Sequence, residues 1–252
     1  MSNLKKVFAN KKAFIPFVVA DDPDVDTTVA SVLTLAQNGA DIVELGIPFS
    51  DPVADGPVIQ KADLRAFEAG VSTKVVFEIV EKIRQSSSVP IVFLTYLNIP
   101  FKYGYDKFCQ RCQELGVAGL VIPDAPIEEQ GELRPFAEKY GIDLIPLIAP
   151  TSDNRIEKIA QSATGFIYVI GAIEIRDEVA IQKLNEIIKR IKKVADVQVV
   201  IESSGKVAKL TTIADGIIIN SAVVQIIANG GDVQKNLSEY AQSIKDSMRI
   251  KV

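Results

Sequence analysis

The sequence predicts a single α/β domain of the (β/α)8 TIM-barrel class, spanning residues 1–252. Three observations lead there. The length of 252 residues suits one such barrel, which typically takes about 250. Eight short apolar runs rich in β-branched residues recur along it, with amphipathic stretches between them. No linker or low-complexity segment interrupts the alternation. Near-continuous apolar strands separated by helices mark a parallel sheet covered on its outer face, and eight such units favour closure.

The runs are AFIPFVVA (13–20), DIVELGI (41–47), VPIVFLTY (89–96), AGLVIP (118–123), DLIPLIAP (143–150), GFIYVIGA (165–172), VQVVIES (197–203) and DGIIINSA (215–222). Helical spacing fills the gaps at 27–39, 74–85, 128–141 and 180–195. The stretch KVAKLTTIADG (206–216) leaves room for barely two turns. In a barrel of this class the chemistry sits at the C-terminal ends of the strands and in the loops after them. The positions to read are therefore Phe17, Glu44, Asp55, Leu94, Tyr96, Asp124, Tyr168, residues 171–177, residues 202–206 and residues 219–221.

Composition narrows the chemistry. The chain is 48% hydrophobic and 24% charged, ordinary for a globular protein with a large core. A net charge of −4 with scattered lysines gives no basic face for nucleic acid. No apolar run reaches the roughly 18 residues of a membrane span. The start, MSNLKKVFANKKAF, lacks an apolar h-region, so a cytoplasmic protein is the expectation. There is no histidine, which removes Ser-His, Cys-His and His-base mechanisms. The two cysteines, Cys109 and Cys112, fall inside the amphipathic YDKFCQRCQELG and read as packing residues. Without a second cysteine pair or a histidine, a zinc site is not expected. No cofactor is called for.

Acid and base must then come from Asp, Glu, Lys, Tyr or Cys. The segment ELGIPFSDPVADGP (44–57) is the most informative: one carboxylate, Glu44, ends a strand, and a second, Asp55, sits in a loop of turn residues. Two carboxylates at one strand mouth suit acid–base work on a small molecule. The competing reading is that Asp51 and Asp55 cap turns. Phe17 and Leu94 read equally well as pocket lining or barrel core.

The segment ELGIPFSDPVADGPVIQ, together with FLTYLNIPFKYG and LVIPDAP, resembles the tryptophan synthase alpha subunit family, from Phe14 to about Ala149. That resemblance implies a lyase splitting indole-3-glycerol phosphate into indole and glyceraldehyde 3-phosphate. It implies that Glu44 shuttles the proton, that Asp55 polarises the indole N–H, and that Phe17, Leu94, Tyr96 and Tyr168 surround the aromatic substrate. It also implies a tryptophan synthase beta subunit as partner.

The second half departs from the family pattern. Where a Gly-Val-Thr-Gly loop is expected after Tyr168, the chain reads VIGAIEIRDE, with Glu174, Arg176 and Asp177 at loop positions. Gly-Phe-Gly is replaced by Glu202-Ser203-Ser204, and Gly-Ser by Asn220-Ser221. Glycine lets a backbone approach phosphate closely, although Ser221 at a helix start can still hold an anion. IGAIEIRD and VVIESSG resemble indole-3-glycerol-phosphate synthase, whose catalytic lysines have no counterpart here. On that comparison Arg176, Glu202 and Ser203 match catalytic-face positions, and Glu174 stands where an Asn is expected.

Two alternatives to the lyase therefore stay open. One is a hybrid or engineered barrel in which Glu174 or Glu202 abstracts a proton from an aromatic substrate, a Kemp-type elimination. The other is a non-catalytic chain whose 52–70 segment only binds and activates a partner enzyme. Glu202 and Arg176 could also be a plain ion pair, and Lys206 a helix-start residue rather than a Schiff-base lysine.

Overall fold

The computed structural model describes residues 3–9, 11–53, 55–170, 178–203 and 205–249. It contains one parallel sheet of nine segments: β1 Ala13–Val19, β2 Val43–Gly46, β3 Ile91–Leu94, β4 Val117–Val121, β5 Asp143–Ile145, β6 Leu147–Ile148, β7 Phe166–Val169, β8 Gln198–Glu202 and β9 Gly216–Ile219. Their spatial order is β5-β4-β3-β2-β1-β9-β8-β7-β6. The extra segment has a simple origin. The expected run 143–150 is divided at Pro146, which has no N–H to give to a ladder. Its first part pairs back with β4 and its second part forward with β7, so one stretch of chain closes the barrel.

The helices are α1 Asn3–Val7, α2 Val25–Gln37, α3 Pro57–Ala69, α4 Thr73–Arg84, α5 Asn98–Tyr103, α6 Tyr105–Glu114, α7 Arg134–Lys139, α8 Ile156–Ser162, α9 Glu178–Val194, α10 Val207–Leu210, α11 Ser221–Asn229 and α12 Val233–Arg249. Local chemistry sets several of their ends. Asp24 caps α2 by accepting from the Thr27 N–H at 2.7 Å, and Ser72 caps α4 by accepting from Val75. Gly70 ends α3 at φ +92°, a conformation that glycine reaches without strain. The helical spacing at 128–141 produces only α7, since Gly131 interrupts the run and Pro135 stands in the first turn of the helix beyond it. Helix α10 has only four residues, as its short sequence allowed.

The strands are largely buried on both faces, and alternate residues feed two cores. Phe14, Val18, Val43, Leu45, Phe93 and Val199 point outward into the layer beneath the helices. Ile15, Phe17, Ile42, Val92, Val200 and Ile218 fill the lumen. Leu4 and Phe8 also belong to the lumen core, with the Phe8 ring 5.8 Å from Phe166, and close its N-terminal end. Cys109 and Cys112 are buried in the outer layer, as packing residues should be, and burial pushes both thiols up.

Candidate active site

Strand alternation decides which side chains meet at the open end of the lumen. Glu44 lies two residues beyond the lumen residue Ile42, and Glu202 two beyond Val200. Asn220 follows Ile218 by two, while Tyr168 and Phe17 are themselves lumen residues. The register locks them side by side: Phe17 is level with Glu44, Glu44 with Val92, Tyr168 with Val200, and Glu202 with Ile218. Leu94 and Tyr96 continue the same face of β3.

Glu44 is the extreme group of this cluster. It is 1% exposed, and neither carboxylate oxygen has a hydrogen-bond partner. Burial first, then the negative charges of Glu202 and Asp55, push its pKa up to about 8. It is therefore mostly protonated at neutral pH and can give up or take a proton near that value. Gly46 makes room beside it, because a Cβ there would lie 2.6 Å from the Phe17 ring. Only glycine lets that aromatic ring rest across the end of β2.

Asp55 is no turn cap. It is half-buried, and its Oδ2 accepts a hydrogen bond from the Tyr96 hydroxyl at 2.9 Å. Burial raises the Asp55 pKa, and the Tyr96 bond opposes the rise. Tyr96 is stacked in turn on Phe49, with ring centroids 4.5 Å apart, which fixes the hydroxyl. Asp51, by contrast, is exposed and bonded locally to Ser50.

The far side of the lumen is organised differently. Nδ2 of Asn220 donates to the Tyr168 hydroxyl oxygen at 3.1 Å and to Oε1 of Glu202 at 3.2 Å. Burial and the surrounding carboxylates hold the Tyr168 pKa far above its ordinary value, so its hydroxyl stays neutral. Ser203 faces the other way: its hydroxyl donates to the Gly205 carbonyl and accepts from the Gly205 N–H, closing a turn. Ser221 is exposed at the start of α11. Lys206 caps α10 at φ +54° and is exposed, in keeping with a helix-start residue. Glu174, Arg176 and Ser204 lie outside the described residues, as does the rest of the 171–177 segment.

Two features escaped the reading of the sequence. Phe49 supports Tyr96, yet a lone aromatic between Pro48 and Ser50 carries no periodic signal. Asp63 is 6% exposed on α3, and burial together with Asp55 and Asp22 pushes it up to about 8. Its signal was present, since it shares the stripe of Ile59, Ala62 and Ala66, the buried face of that helix. Beside it, Arg65 makes a bidentate pair with the buried Asp22 at 2.7 and 2.8 Å, tying α3 to the loop after β1. Among the described residues, no group of three or more acidic or cysteine side chains could hold a metal ion. Among the same residues no helix is long and apolar enough to cross a membrane.

A family model described as tryptophan synthase alpha chain matches residues 1–251. The tryptophan synthase alpha chain of Lacticaseibacillus casei is 60% identical over 235 residues, covering 90% of this chain and 88% of the relative. That of Lactiplantibacillus plantarum is 47% identical over 256 residues, covering 98% and 97%. Among solved structures, an open form of tryptophan synthase from M. tuberculosis superposes with a TM-score of 0.90 at 29% identity, covering 99% of each chain. The alpha subunit from Legionella pneumophila gives 0.89 at 29% identity, with 98% of each chain covered. The family match runs without a break through 165–222, where a hybrid barrel was the competing expectation, and none of these similarities favours that alternative.

Proposed function

The chain belongs to the tryptophan synthase alpha chain family, and from that membership we infer how its own side chains run the family's reaction. It is a carbon–carbon lyase that cleaves indole-3-glycerol phosphate to indole and glyceraldehyde 3-phosphate. The bond to be broken joins ring carbon 3 to the hydroxyl-bearing carbon of the side chain. Breaking it requires a proton on carbon 3, stabilisation of the positive charge that then appears at the ring nitrogen, and removal of the hydroxyl proton.

Protonated Glu44 delivers the first proton to carbon 3. Asp55, carboxylate and held by Tyr96, accepts the ring N–H and stabilises the charge there. Glu44, now a carboxylate, takes the hydroxyl proton as the carbon–carbon bond breaks. Its electrons return to the ring, leaving indole and an aldehyde, and Glu44 is protonated again. Phe17, Leu94 and Tyr168 wall the ring. The observation that carries this reading is the buried, unpartnered carboxyl of Glu44 opposite a carboxylate of opposite duty.

The phosphate falls to the first turn of α11, where Ser221 and the free backbone N–H groups of a nine-residue helix favour an anion. Arg176 and Ser204 keep the substrate-binding role their sequence positions suggest. Glu174 has no place in this scheme, and Glu202 is a neighbour of the reacting groups rather than their base. The test is indole release from indole-3-glycerol phosphate by the wild type, Glu44→Gln and Asp55→Asn. Loss of about 10²–10⁴-fold in each variant supports the assignment, and full activity in Glu44→Gln overturns it.

The rim of the barrel supports a beta subunit as partner. Val53, Leu64, Phe67, Phe101 and Tyr103 are large apolar side chains exposed there. Phe67 and Tyr103 line a groove of about 570 Å³ that also includes Ile47, Phe49 and Ile99. Exposed apolar clusters of this kind mark contact surfaces. Co-elution with a tryptophan synthase beta chain, lost in Phe101→Glu, is the expected result.

A further inference from the structure

Asn220 sits at the N-cap of α11, where asparagine is among the most favoured residues because its side chain can accept from the first helical N–H groups. It makes no such bond. Its side chain turns into the lumen instead, forgoing that cap, and a second set of contacts holds it there. Those contacts are the bonds from Nδ2 to Tyr168 and Glu202.

They also fix which way the amide faces. The amide nitrogen is the end that meets both Glu202 and Tyr168. With both bonds made from that nitrogen, Oδ1 is left on the opposite side. The residue is 7% exposed, and Oδ1 is buried with no hydrogen-bond partner. A buried carbonyl without a donor keeps the full penalty of its lost hydration, and native structures rarely leave one unsatisfied. Within the same lumen the two Glu44 oxygens are likewise unpartnered, on β2, across β1 from β9. Asn220 itself joins the end of β9 to the start of α11.

We propose that Asn220 is a specificity-determining residue whose Oδ1 accepts a hydrogen bond from the middle hydroxyl of the substrate's glycerol chain. This rests on the lyase reading. There, Glu44 serves the hydroxyl on the carbon attached to the ring, and the first turn of α11 serves the phosphate at the other end. The middle carbon lies between them along the substrate, and Asn220 follows the end of β9, two strands from Glu44 in the sheet order, and leads directly into Ser221. The resemblance to the family placed a glycine at this position, which could offer no side-chain acceptor. The amide also keeps Glu202 engaged through Nδ2, so a carboxylate and a substrate phosphate share the rim with a neutral group between them.

The experiment compares kcat/KM for indole-3-glycerol phosphate with that for the analogue lacking only the middle hydroxyl. The analogue retains the hydroxyl needed for bond cleavage. Wild type should prefer the full substrate by about 10–100-fold, the worth of one buried acceptor satisfied or left empty. Asn220→Gly and Asn220→Leu should both bring that preference to within about threefold of unity. Leucine fills nearly the same volume without an acceptor, so at least one folded variant is available, and the ratio is internal to each. An unchanged preference in either active variant, or no preference in the wild type, overturns the proposal. Wild type that cleaves neither compound overturns the lyase reading itself, and the proposal with it.

Discussion

Two sides of one lumen hold acidic groups in opposite ways. On the β1–β3 side, Glu44 is buried with both oxygens unpartnered, and Asp55 meets a single tyrosine. On the β7–β9 side, Asn220 binds Tyr168 and Glu202 to each other. The first arrangement leaves a carboxyl at high potential energy and ready to exchange a proton. The second engages its carboxylate in a protein network. The same residue type thus becomes a reagent where it is fully buried, at Glu44, and scaffolding where it is half-buried and bonded, at Glu202.

The sharpest way to break this contrast is to neutralise each acid in turn. Glu44→Gln should lower indole release by about 10³-fold or more, while Glu202→Gln should stay within about tenfold of wild type. Steady-state kinetics on both variants reads the difference directly. Equal losses would show that the two sides act as one unit.

Stability against pH gives the next largest effect. The folded Glu44 holds its proton up to about 8, whereas its ordinary value is 4.5. The folded chain therefore keeps a proton that the unfolded chain releases, and this stabilisation, full below 4.5, is lost as pH rises through 8. Glu44→Gln lacks that loss. It should gain on wild type with rising pH, by up to about 4 kcal/mol at pH 9 relative to pH 4, in denaturant titrations. Asp63→Asn should move in the same direction, since Asp63 is also raised to about 8.

Much of this was legible. The eight apolar runs, Glu44 and Asp55 stand out because strand period and turn chemistry leave plain marks in sequence. Asn220 was legible as a substrate-face position at the end of a strand, but its bonds to Tyr168 and Glu202 were not, because only the fold brings those strands side by side. Asp63 hid behind the habit of assigning charged helix residues to solvent, despite its place on the buried stripe. The division of 143–150 had a signal in Pro146, which a fully paired strand would not tolerate.

Packing supplies a smaller effect on the β1–β3 side. Gly46→Ala would place a methyl 2.6 Å from the Phe17 ring, costing about 1–3 kcal/mol, visible as a lower Tm and a raised KM. Smallest of all, Tyr96→Phe removes the bond that holds Asp55. Indole release should fall by about tenfold, with the acidic limb of its pH profile moving upward because that bond opposes the rise in the Asp55 pKa.

The plug formed by Leu4, Phe8 and Phe166 has a consequence for traffic. It stops the N-terminal end of the lumen, so the route for substrate and for both products runs through the opposite rim. That rim carries the exposed apolar side chains Val53, Phe67 and Phe101. Any protein seated on them stands in the doorway, and it governs admission and discharge together.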